Sequence, residues 1–217
     1  MSTTRSRKDI EFDTRRQVIV DAARRLLAER DIETIAMDEI AASADYTRRT
    51  LYAYFKSREE IFLRVLVEDL KRRWSKQQRS MIDAATGLEK IQAWARALFS
   101  FSRENPQSIR LQIYWDYRGI DETKVGEPTL RHFKQLNNEL AEGLREIFQR
   151  GINDGSLRPD LELDLCISQF LYTLRIVIHR ALSPGYSFTS HEPDVYVDHF
   201  IDLLCRGFVP ERNTHGA

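Results

Sequence analysis

The chain has 217 residues, of which 42% are hydrophobic, so it can bury a core in one large domain or in two smaller ones. Its formal net charge is zero, but residues 1–80 hold 18 Lys and Arg against 14 Asp and Glu, while residues 81–217 hold 15 against 19. The N-terminus is polar and no apolar run approaches the roughly 20 residues that cross a bilayer, which favours a cytoplasmic protein without a membrane partner.

The sequence lacks the common metal and catalytic motifs. Cys166 and Cys205 lie far apart without a CxxC pattern, and we interpret both as packing residues, with a regulatory thiol as the alternative. The five histidines lack metal-ligand spacing, and there is no Gly-rich phosphate loop, HExxH or GxSxG. We therefore expect no cofactor, no metal and no enzyme activity.

Apolar residues recur at three- and four-residue steps along most of the chain, and no segment alternates as a half-buried strand would. This pattern predicts an all-α fold. The first helix is predicted to begin at a capping box formed by Thr14 and Gln17. Before it lies a basic arm with Arg5, Arg7 and Lys8, which either enters a minor groove of DNA or stays in solvent.

Residues 37–58 predict two short helices joined by a tight turn. The first helix has a narrow apolar stripe made of Met37, Ile40, Ala41 and Ala44. Asp45 tolerates left-handed backbone and so suits the turn, and Thr47 is predicted to be the N-cap of the second helix. Leu51 and Phe55 lie one turn apart in that helix and should face the core. This arrangement is typical of a helix-turn-helix.

The other side of the second helix carries Arg48, Arg49 and Tyr52, which then need a partner outside the domain. An arginine can bond bidentately to guanine in the major groove. Hydroxyl groups, together with Lys56 and Arg58 just beyond the helix, suit phosphate contacts that position the protein without reading sequence. The sequence therefore predicts double-stranded DNA as a partner.

Residues 47–62 follow the pattern T-x-x-T-L-Y-x-Y-F-K-S-R-E-E-I-F, which resembles the DNA-binding end of the TetR family of transcriptional regulators. The resemblance covers about residues 10–70 strongly and the rest by architecture. It implies DNA contacts for Thr47, Arg48, Arg49, Thr50, Tyr52, Tyr54 and Arg58. Three residues depart from the family pattern: Asp45 replaces a turn glycine, Tyr46 a small aliphatic residue and Ala36 a capping threonine. The change at Ala36 is expected to remove one backbone contact to DNA.

Three parts are predicted along the chain. Residues 1–56 form an N-terminal arm and helix-turn-helix DNA-binding domain, residues 57–80 a connecting helix, and residues 81–217 a helical effector-binding and dimerisation domain. A second capping box, Ser57 with Glu60, begins the connecting helix. Later helix breaks are predicted at Thr86-Gly87, Asn105-Pro106, Gly119, Asp154-Gly155 and Ser183-Pro184-Gly185.

The last two predicted helices suggest a subunit interface. The segment 161–182 is apolar on nearly all sides and needs cover on more than one face, and the last helix carries Phe200 and Leu203. The resemblance implies that these helices pair with those of a second copy in a four-helix bundle, which makes a homodimer. Two recognition helices about 34 Å apart would then read a palindrome.

Aromatic residues of the second domain form the candidate effector site. Helices that wall a ligand cavity in the family carry here Trp94, Phe99, Phe101, Tyr114, Trp115, Tyr117 and Tyr172. Ordinary core packing is the alternative for each ring. Arg175 and His179 lie one turn apart in an apolar helix, where a charge needs a partner. They either orient an anionic or carbonyl-bearing ligand or pair at an interface.

These features predict a ligand-responsive, dimeric, DNA-binding regulator. We expect a repressor that binds a palindromic operator and is released by a small hydrophobic or amphipathic effector. One alternative is a helix-turn-helix regulator that a partner protein controls. Another is a small helical enzyme, for which Arg175 and His179 are the candidate groups.

Overall fold

The computed structural model describes residues 6–183 and 191–210, and all regular structure in those ranges is helical, as predicted. Nine α-helices run through the described residues: α1 Arg7–Glu29, α2 Met37–Ser43, α3 Arg48–Tyr54, α4 Arg58–Ser80, α5 Gly87–Glu104, α6 Pro106–Arg118, α7 Glu127–Asn153, α8 Leu163–Leu182 and α9 Pro193–Arg206. Short 3-10 turns occupy Ile32–Thr34 and Glu122–Lys124. Among the described residues, no helix has the length and apolar character needed to span a membrane.

The chain divides into two compact units, and neither is continuous in sequence. The N-terminal unit comprises Met1–Asp69 with Tyr114–Gln135, and the C-terminal unit comprises Leu70–Ile113 with Leu136–Ala217. The limits of the units fall within α4, α6 and α7, so each of these helices contributes residues to both units. The predicted domain limits after residues 56 and 80 stay predictions.

Helix α1 begins earlier than the sequence analysis predicted. Ser6 is its N-cap, with Ser6 Oγ accepting a hydrogen bond from Asp9 N at 3.2 Å and Asp9 Oδ2 accepting one from Ser6 N at 3.1 Å. The predicted start at Thr14 and Gln17 is wrong, because Ser6-x-x-Asp9 supplies an equivalent capping box two turns upstream. Thr14 lies inside the helix, where its hydroxyl donates to the carbonyl of Ile10 at 2.8 Å.

The earlier start changes the description of the basic arm. Arg7 and Lys8 are the first residues of α1, and both are exposed to solvent. Arg5 lies outside the described residues. The predicted break at Pro184 and Gly185 also lies outside them.

The N-terminal unit has a continuous apolar core from α1 to the first half of α4. Its most deeply buried side chains include Ile19, Ala23, Leu27, Ile40, Leu51, Phe55, Phe62 and Leu66. The stripe on α2 and the inward direction of Leu51 and Phe55 are thus confirmed. Burying side chains of this size stabilises the fold by about 1.5–3 kcal/mol each, which holds the two short helices in place.

In the C-terminal unit, α5, α8 and α9 pack against one another around an aromatic and aliphatic core. Its buried residues include Trp94, Leu98, Phe148, Phe170, Leu174, Ile178, Val197 and Ile201. At one end, Gly87 of α5 lies against Gly151 of α7, and a Cβ on Gly87 would come within 2.2 Å of Gly151 Cα. The two glycines allow these backbones to approach closely.

Local signals set the ends of the later helices as predicted. Thr86 caps α5 by accepting a hydrogen bond from Glu89 N at 3.2 Å, and α6 begins at Pro106. Gly119 after α6 has a φ of 70°, and Gly155 after α7 has a φ of 76°. Both values lie in the left-handed region that glycine adopts without strain.

Candidate nucleic-acid interface

The turn between α2 and α3 is built by two residues that the sequence singled out. Asp45 has a φ of 56°, the left-handed conformation expected for it. Thr47 caps α3, because its Oγ1 accepts a hydrogen bond from Thr50 N at 3.1 Å. The two threonine hydroxyls lie 2.8 Å apart. The backbone of the helix-turn-helix is therefore specified by its own side chains.

The outer face of α3 presents three of the predicted DNA-contacting residues to solvent. Arg48 and Arg49 are exposed, and Tyr52 is 49% exposed. On the opposite face, Leu51 and Phe55 are 0% and 2% exposed. The helix thus holds two guanidinium groups and a phenol outside the domain, where a major groove can receive them; the base contacts themselves stay a prediction.

The two arginines differ in their surroundings. Arg48 Nη1 donates to Asp38 Oδ2 at 2.9 Å, Arg48 Nη2 donates to Tyr52 Oη at 3.4 Å, and the guanidinium carbon lies 5.7 Å from the centre of the Tyr52 ring. The hydrogen bond with Tyr52 and then the charge of Asp38 raise the pKa of Arg48. Arg49 has no hydrogen bond or ion pair to the described part of the chain. Arg48 is therefore held in one direction, whereas Arg49 can move.

Lys56 and Arg58, predicted to meet phosphates, contact the protein's own backbone. Lys56 Nζ lies 3.5 Å from the carbonyl of Val125, and Lys56 stays exposed. Arg58 Nη1 donates to the carbonyls of Ile35 at 2.6 Å and Glu33 at 3.3 Å, and its side chain is 25% exposed. Arg58 thus fixes the start of α4 to the segment before α2. The phosphate contacts of both residues stay predictions.

The first turns of α1 support the end of α3. The Phe12 ring lies 4.8 Å from the ring of Tyr54, and a hydrogen bond with Tyr54 raises the pKa of Arg15. The guanidinium of Arg16 lies 4.8 Å from the centre of the Phe55 ring. Sequence reasoning missed these contacts because it began the helix at residue 14. The Ser6-x-x-Asp9 capping box is the signal that would have revealed them.

Glu60 is a buried carboxylate that joins three segments of the N-terminal unit. It is 4% exposed, and its oxygens accept hydrogen bonds from Lys56 N at 2.7 Å and from Thr129 Oγ1 at 2.9 Å. Arg16 of α1 lies 4.0 Å away, and a Cβ on Gly126 would come within 2.6 Å of Glu60 Oε1. Only half of the predicted capping box is present. Ser57 Oγ accepts a hydrogen bond from Glu60 N at 3.1 Å, but the Glu60 carboxylate accepts from the N–H of Lys56 instead of that of Ser57. The carboxylate therefore connects the start of α7 with the residue just after the Phe55 cap of α3.

Helix α2 begins at Ala36 without a side-chain cap. Glu39 Oε2 instead accepts a hydrogen bond from Ala36 N at 2.8 Å, and Arg30 bonds to the other oxygen of Glu39. The hydrogen bonds from Arg30 and then from Ala36 N lower the pKa of Glu39. The helix start is thus stabilised without the threonine that the family usually has there.

The nine residues predicted to bind an effector fall into separate groups. Trp94, Phe99 and Phe101 are buried in the C-terminal unit. The N-terminal unit contains Tyr114, Trp115 and Tyr117, of which Trp115 is buried and Tyr117 is 91% exposed. The structure therefore does not bring the α5 and α6 rings into one unit, because the limit between the units falls inside α6.

The remaining predicted effector residues lie on α8. Tyr172 is 52% exposed, and the Arg175 guanidinium lies 5.8 Å from the centre of its ring. Burial, followed by the charges of Arg110 and Arg180, lowers the pKa of His179. An uncharged imidazole at this position is therefore favoured.

Among the buried polar atoms of the C-terminal unit that lack a hydrogen-bond partner in the described part of the chain, two are an indole nitrogen and a serine hydroxyl. They are Trp94 Nε1 and Ser108 Oγ, in side chains that are 5% and 1% exposed. Buried polar atoms are normally bonded. A groove of about 510 Å³ lies elsewhere in the same unit, and its walls come from α7 and the start of α8: Arg145, Glu146, Gln149, Arg150, Asn153, Asp154 and Leu163. None of the nine predicted effector residues lines that groove.

Comparison with known proteins shows a family to which the helix-turn-helix segment is similar. Residues 19–65 match the family model described as bacterial regulatory proteins, tetR family. The HTH-type transcriptional repressor KstR2 of Mycolicibacterium smegmatis is 28% identical over 173 residues, which cover 79% of this chain and 81% of the relative. KstR2 of Rhodococcus jostii is 26% identical over 92% of this chain and 93% of its own length.

Solved structures share the fold over nearly the whole chain. The ketosteroid transcriptional regulator KstR2 of Mycobacterium tuberculosis has a TM-score of 0.66 at 22% identity, covering 91% of this chain and 96% of the other. The transcriptional regulator FadR from Bacillus subtilis, in complex with stearoyl-CoA, has a TM-score of 0.70 at 18% identity, covering 88% and 98%. Residues 19–65 thus match the DNA-binding part of the TetR family, and the relatives that resemble most of the chain are transcriptional repressors.

Proposed function

We propose that the chain is a dimeric repressor that binds a palindromic operator and releases it when a small hydrophobic or amphipathic effector occupies the C-terminal unit. The observation that carries the proposal is the preformed α3 surface, on which Arg48, Arg49 and Tyr52 are exposed while Leu51 and Phe55 fix the helix from below. Acting on DNA, the protein would work in the cytoplasm.

An exposed apolar face supports the dimer. On α8, Leu165, Tyr172 and Ile176 are 59%, 52% and 61% exposed, and their spacing of seven and four residues places them on one side of the helix. Leu203 of α9 is 57% exposed. A second copy of the chain is the occupant that suits these faces, because a two-fold axis would pair each helix with its equivalent and place two α3 helices on one duplex.

The proposed effector is an amphipathic acyl or steroid compound. The fold neighbours include a ketosteroid transcriptional regulator and a regulator crystallised with stearoyl-CoA. In this chain, the C-terminal unit offers an apolar core with aromatic residues such as Trp94 and Phe99. Trp94 Nε1 and Ser108 Oγ, which have no hydrogen-bond partner in the described part of the chain, would bond to a carbonyl or carboxylate oxygen of a ligand that enters this core. Apolar walls with a few polar atoms are typical of sites for such ligands.

The coupling route runs through helices that both units share. In the N-terminal unit, Ser57 Oγ donates to the carbonyl of Lys124 at 2.7 Å, and Thr129 donates to Glu60. A shift of α7 would alter these bonds, and Glu60 bonds directly to Lys56 N behind the recognition helix. An effector that prefers the shifted state weakens DNA binding by the same free energy, typically about 1–3 kcal/mol.

A regulator controlled by a partner protein is the second candidate, since the exposed α8 face would also receive another protein. A small helical enzyme is the third candidate, for which Arg175 and His179 on α8 would be the reacting groups. Size measurement of the purified chain alone distinguishes the first two candidates. A dimer supports the proposal, whereas a monomer favours a partner protein.

The DNA-binding proposal is tested by selecting genomic fragments on the purified protein and on an Arg48→Ala/Arg49→Ala variant. We expect a few palindromic sites that the variant loses. Stearoyl-CoA and a ketosteroid are then added to the complex with a selected site, where release by either identifies the effector class. Equal capture of all fragments by both proteins would contradict sequence-specific regulation, and capture that no added compound changes would contradict an effector of this class.

A further inference from the structure

We propose that Asp38 determines DNA sequence specificity by holding Arg48 in a base-reading direction and keeping it from phosphates. The inference rests on the proposed operator binding and deepens it by naming a residue outside α3. Asp38 is the second residue of α2, and Arg48 is the first residue of α3, so the contact crosses the turn of the helix-turn-helix.

The geometry fixes the guanidinium at two points. Asp38 Oδ2 accepts from Arg48 Nη1 at 2.9 Å, and Tyr52 Oη accepts from Arg48 Nη2 at 3.4 Å. Both partners of the ion pair remain more than half exposed, with side chains that are 56% exposed for Arg48 and 62% for Asp38. Arginine carries five N–H donors, so the edge that faces solvent keeps donors for a base. The pair is thus positioned but still accessible.

The charge of the pair separates base reading from phosphate binding. A free arginine gains affinity for any duplex because it neutralises a phosphate and releases counterions. An arginine beside a carboxylate has little net charge to offer, and the carboxylate itself repels a phosphate. Directional hydrogen bonds to a base edge remain possible, since they depend on geometry more than on net charge. Asp38 therefore lowers the affinity for unrelated DNA more than the affinity for the operator.

Arg49 provides the internal comparison. It is the next residue on the same exposed helix, and it has no hydrogen bond or ion pair to the described part of the chain. An arginine without such a partner binds phosphate and base alike. The two neighbouring arginines therefore have different roles. Arg48 contacts bases selectively, whereas Arg49 contacts bases or phosphates.

A purely structural role for Asp38 predicts a different outcome. An acidic residue in the first turn of a helix favours the helix by interacting with its positive end. If that were the function of Asp38, its replacement would lower the melting temperature and leave the ratio of specific to non-specific binding unchanged. The DNA measurements below separate the two roles.

The experiment selects from a duplex library with a randomised 30-base-pair centre, using full-length wild type, Asp38→Asn and Asp38→Glu. Asp31→Asn is the matched control, because Asp31 is also exposed in the same unit and its carboxylate caps no helix. Binding of the selected duplex and of a scrambled duplex is then measured by fluorescence anisotropy at several salt concentrations, and thermal unfolding is recorded for each protein.

We expect Asp38→Asn to bind the scrambled duplex more tightly and to lower the specificity ratio by about fivefold or more, the lower end of the discrimination that one good bidentate contact gives. Its slope of log affinity against log salt should steepen by about 0.9, as for one added phosphate contact. Asp38→Glu should restore part of the ratio, and Asp31→Asn should resemble wild type. In an Arg48→Ala background, Asp38→Asn should no longer change the base preferences.

The inference is wrong if Asp38→Asn selects the same sequences as wild type with the same specificity ratio and salt slope. It is also wrong if Asp31→Asn changes the ratio equally, because general charge would then explain the effect. Failure of wild type to enrich any sequence would overturn operator binding and this inference together. The first two outcomes leave the proposed function intact, so the failures are distinguishable.

Discussion

The two units differ in what holds them in place. In the N-terminal unit, polar contacts position the recognition helix, through Thr47, Arg58 and the buried Glu60. In the C-terminal unit, a large aromatic core dominates, and two of its buried polar atoms, in Trp94 and Ser108, have no partner in the described part of the chain. The comparison teaches that directional bonds fix a helix that faces solvent, whereas packing of apolar side chains dominates the interior of the C-terminal unit.

The largest expected effect is on stability in the C-terminal unit. Phe170 is 1% exposed and lies 5.8 to 6.0 Å, between ring centres, from Trp94, Phe148 and Phe208. Phe170→Ala should lower the free energy of unfolding by about 3–5 kcal/mol, as for other buried phenylalanines. Denaturant unfolding at fixed protein concentration measures this, with the exposed neighbour Gln169→Ala as control. A loss below about 1 kcal/mol would contradict a core held by packing.

The second prediction concerns the exposed arginines of α3. Arg48→Ala should remove about 1–3 kcal/mol of discrimination between bases, and it should leave thermal stability nearly unchanged because the side chain is exposed. Anisotropy titrations of the selected operator and of single-base variants measure the loss. An unfolding midpoint that falls as far as that of Phe170→Ala would show that the residue supports the fold rather than reads DNA.

The third prediction concerns the contact between Glu60 and Thr129. Thr129 is 2% exposed, so Thr129→Val leaves the buried carboxylate with one bond fewer at almost equal volume. We expect a loss of about 1–2 kcal/mol in stability and faster hydrogen exchange at the amide of Lys56 and in α3. Thr129→Ser retains the hydroxyl and should behave as wild type. Unchanged exchange in α3 would break the proposed link between α7 and the recognition helix.

The smallest effect is a pH dependence from His179. Burial lowers the pKa of this imidazole in the folded chain, so the unfolded chain binds the proton more readily. Its contribution to stability is therefore complete above the ordinary histidine pKa of about 6.5 and is lost as the pH falls below that value. The unfolding midpoint of wild type should decrease between pH 7.5 and 5.5 more than that of His179→Gln. Equal decreases would show that other groups cause the dependence.

Local signals explain how much of the fold could be predicted from the sequence. The Asp45 turn, the Thr47 cap and the start of α6 at Pro106 each depend on residues within a few positions, and all three are confirmed. The start of α1 was missed although its signal was equally local, because Ser6 and Asp9 lie in a stretch that was interpreted as a basic arm. The helix start was predicted wrongly because the basic composition of this stretch was given more weight than its Ser6-x-x-Asp9 capping box.

Long-range pairing explains what could not be predicted. Glu60 and Thr129 are 69 residues apart, and nothing in either neighbourhood indicates the other. The candidate effector residues fall in both units for a related reason, since helical spacing predicts α6 but does not show that Tyr114 and Tyr117 join the N-terminal unit. The unit to which the end of a helix belongs depends on tertiary contacts, and the spacing of apolar residues does not predict those contacts.

Because the N-terminal unit is discontinuous, it cannot be transferred to another protein as one segment. A chimera that transplants residues 1–69 onto another sensor domain would carry Glu60 without Thr129 and Ser57 without the carbonyl of Lys124. Such a graft buries a carboxylate that has lost one donor, and it also removes the proposed link between α7 and α3. Domain exchange should therefore transfer residues 114–135 together with residues 1–69, so that both segments of the N-terminal unit are kept.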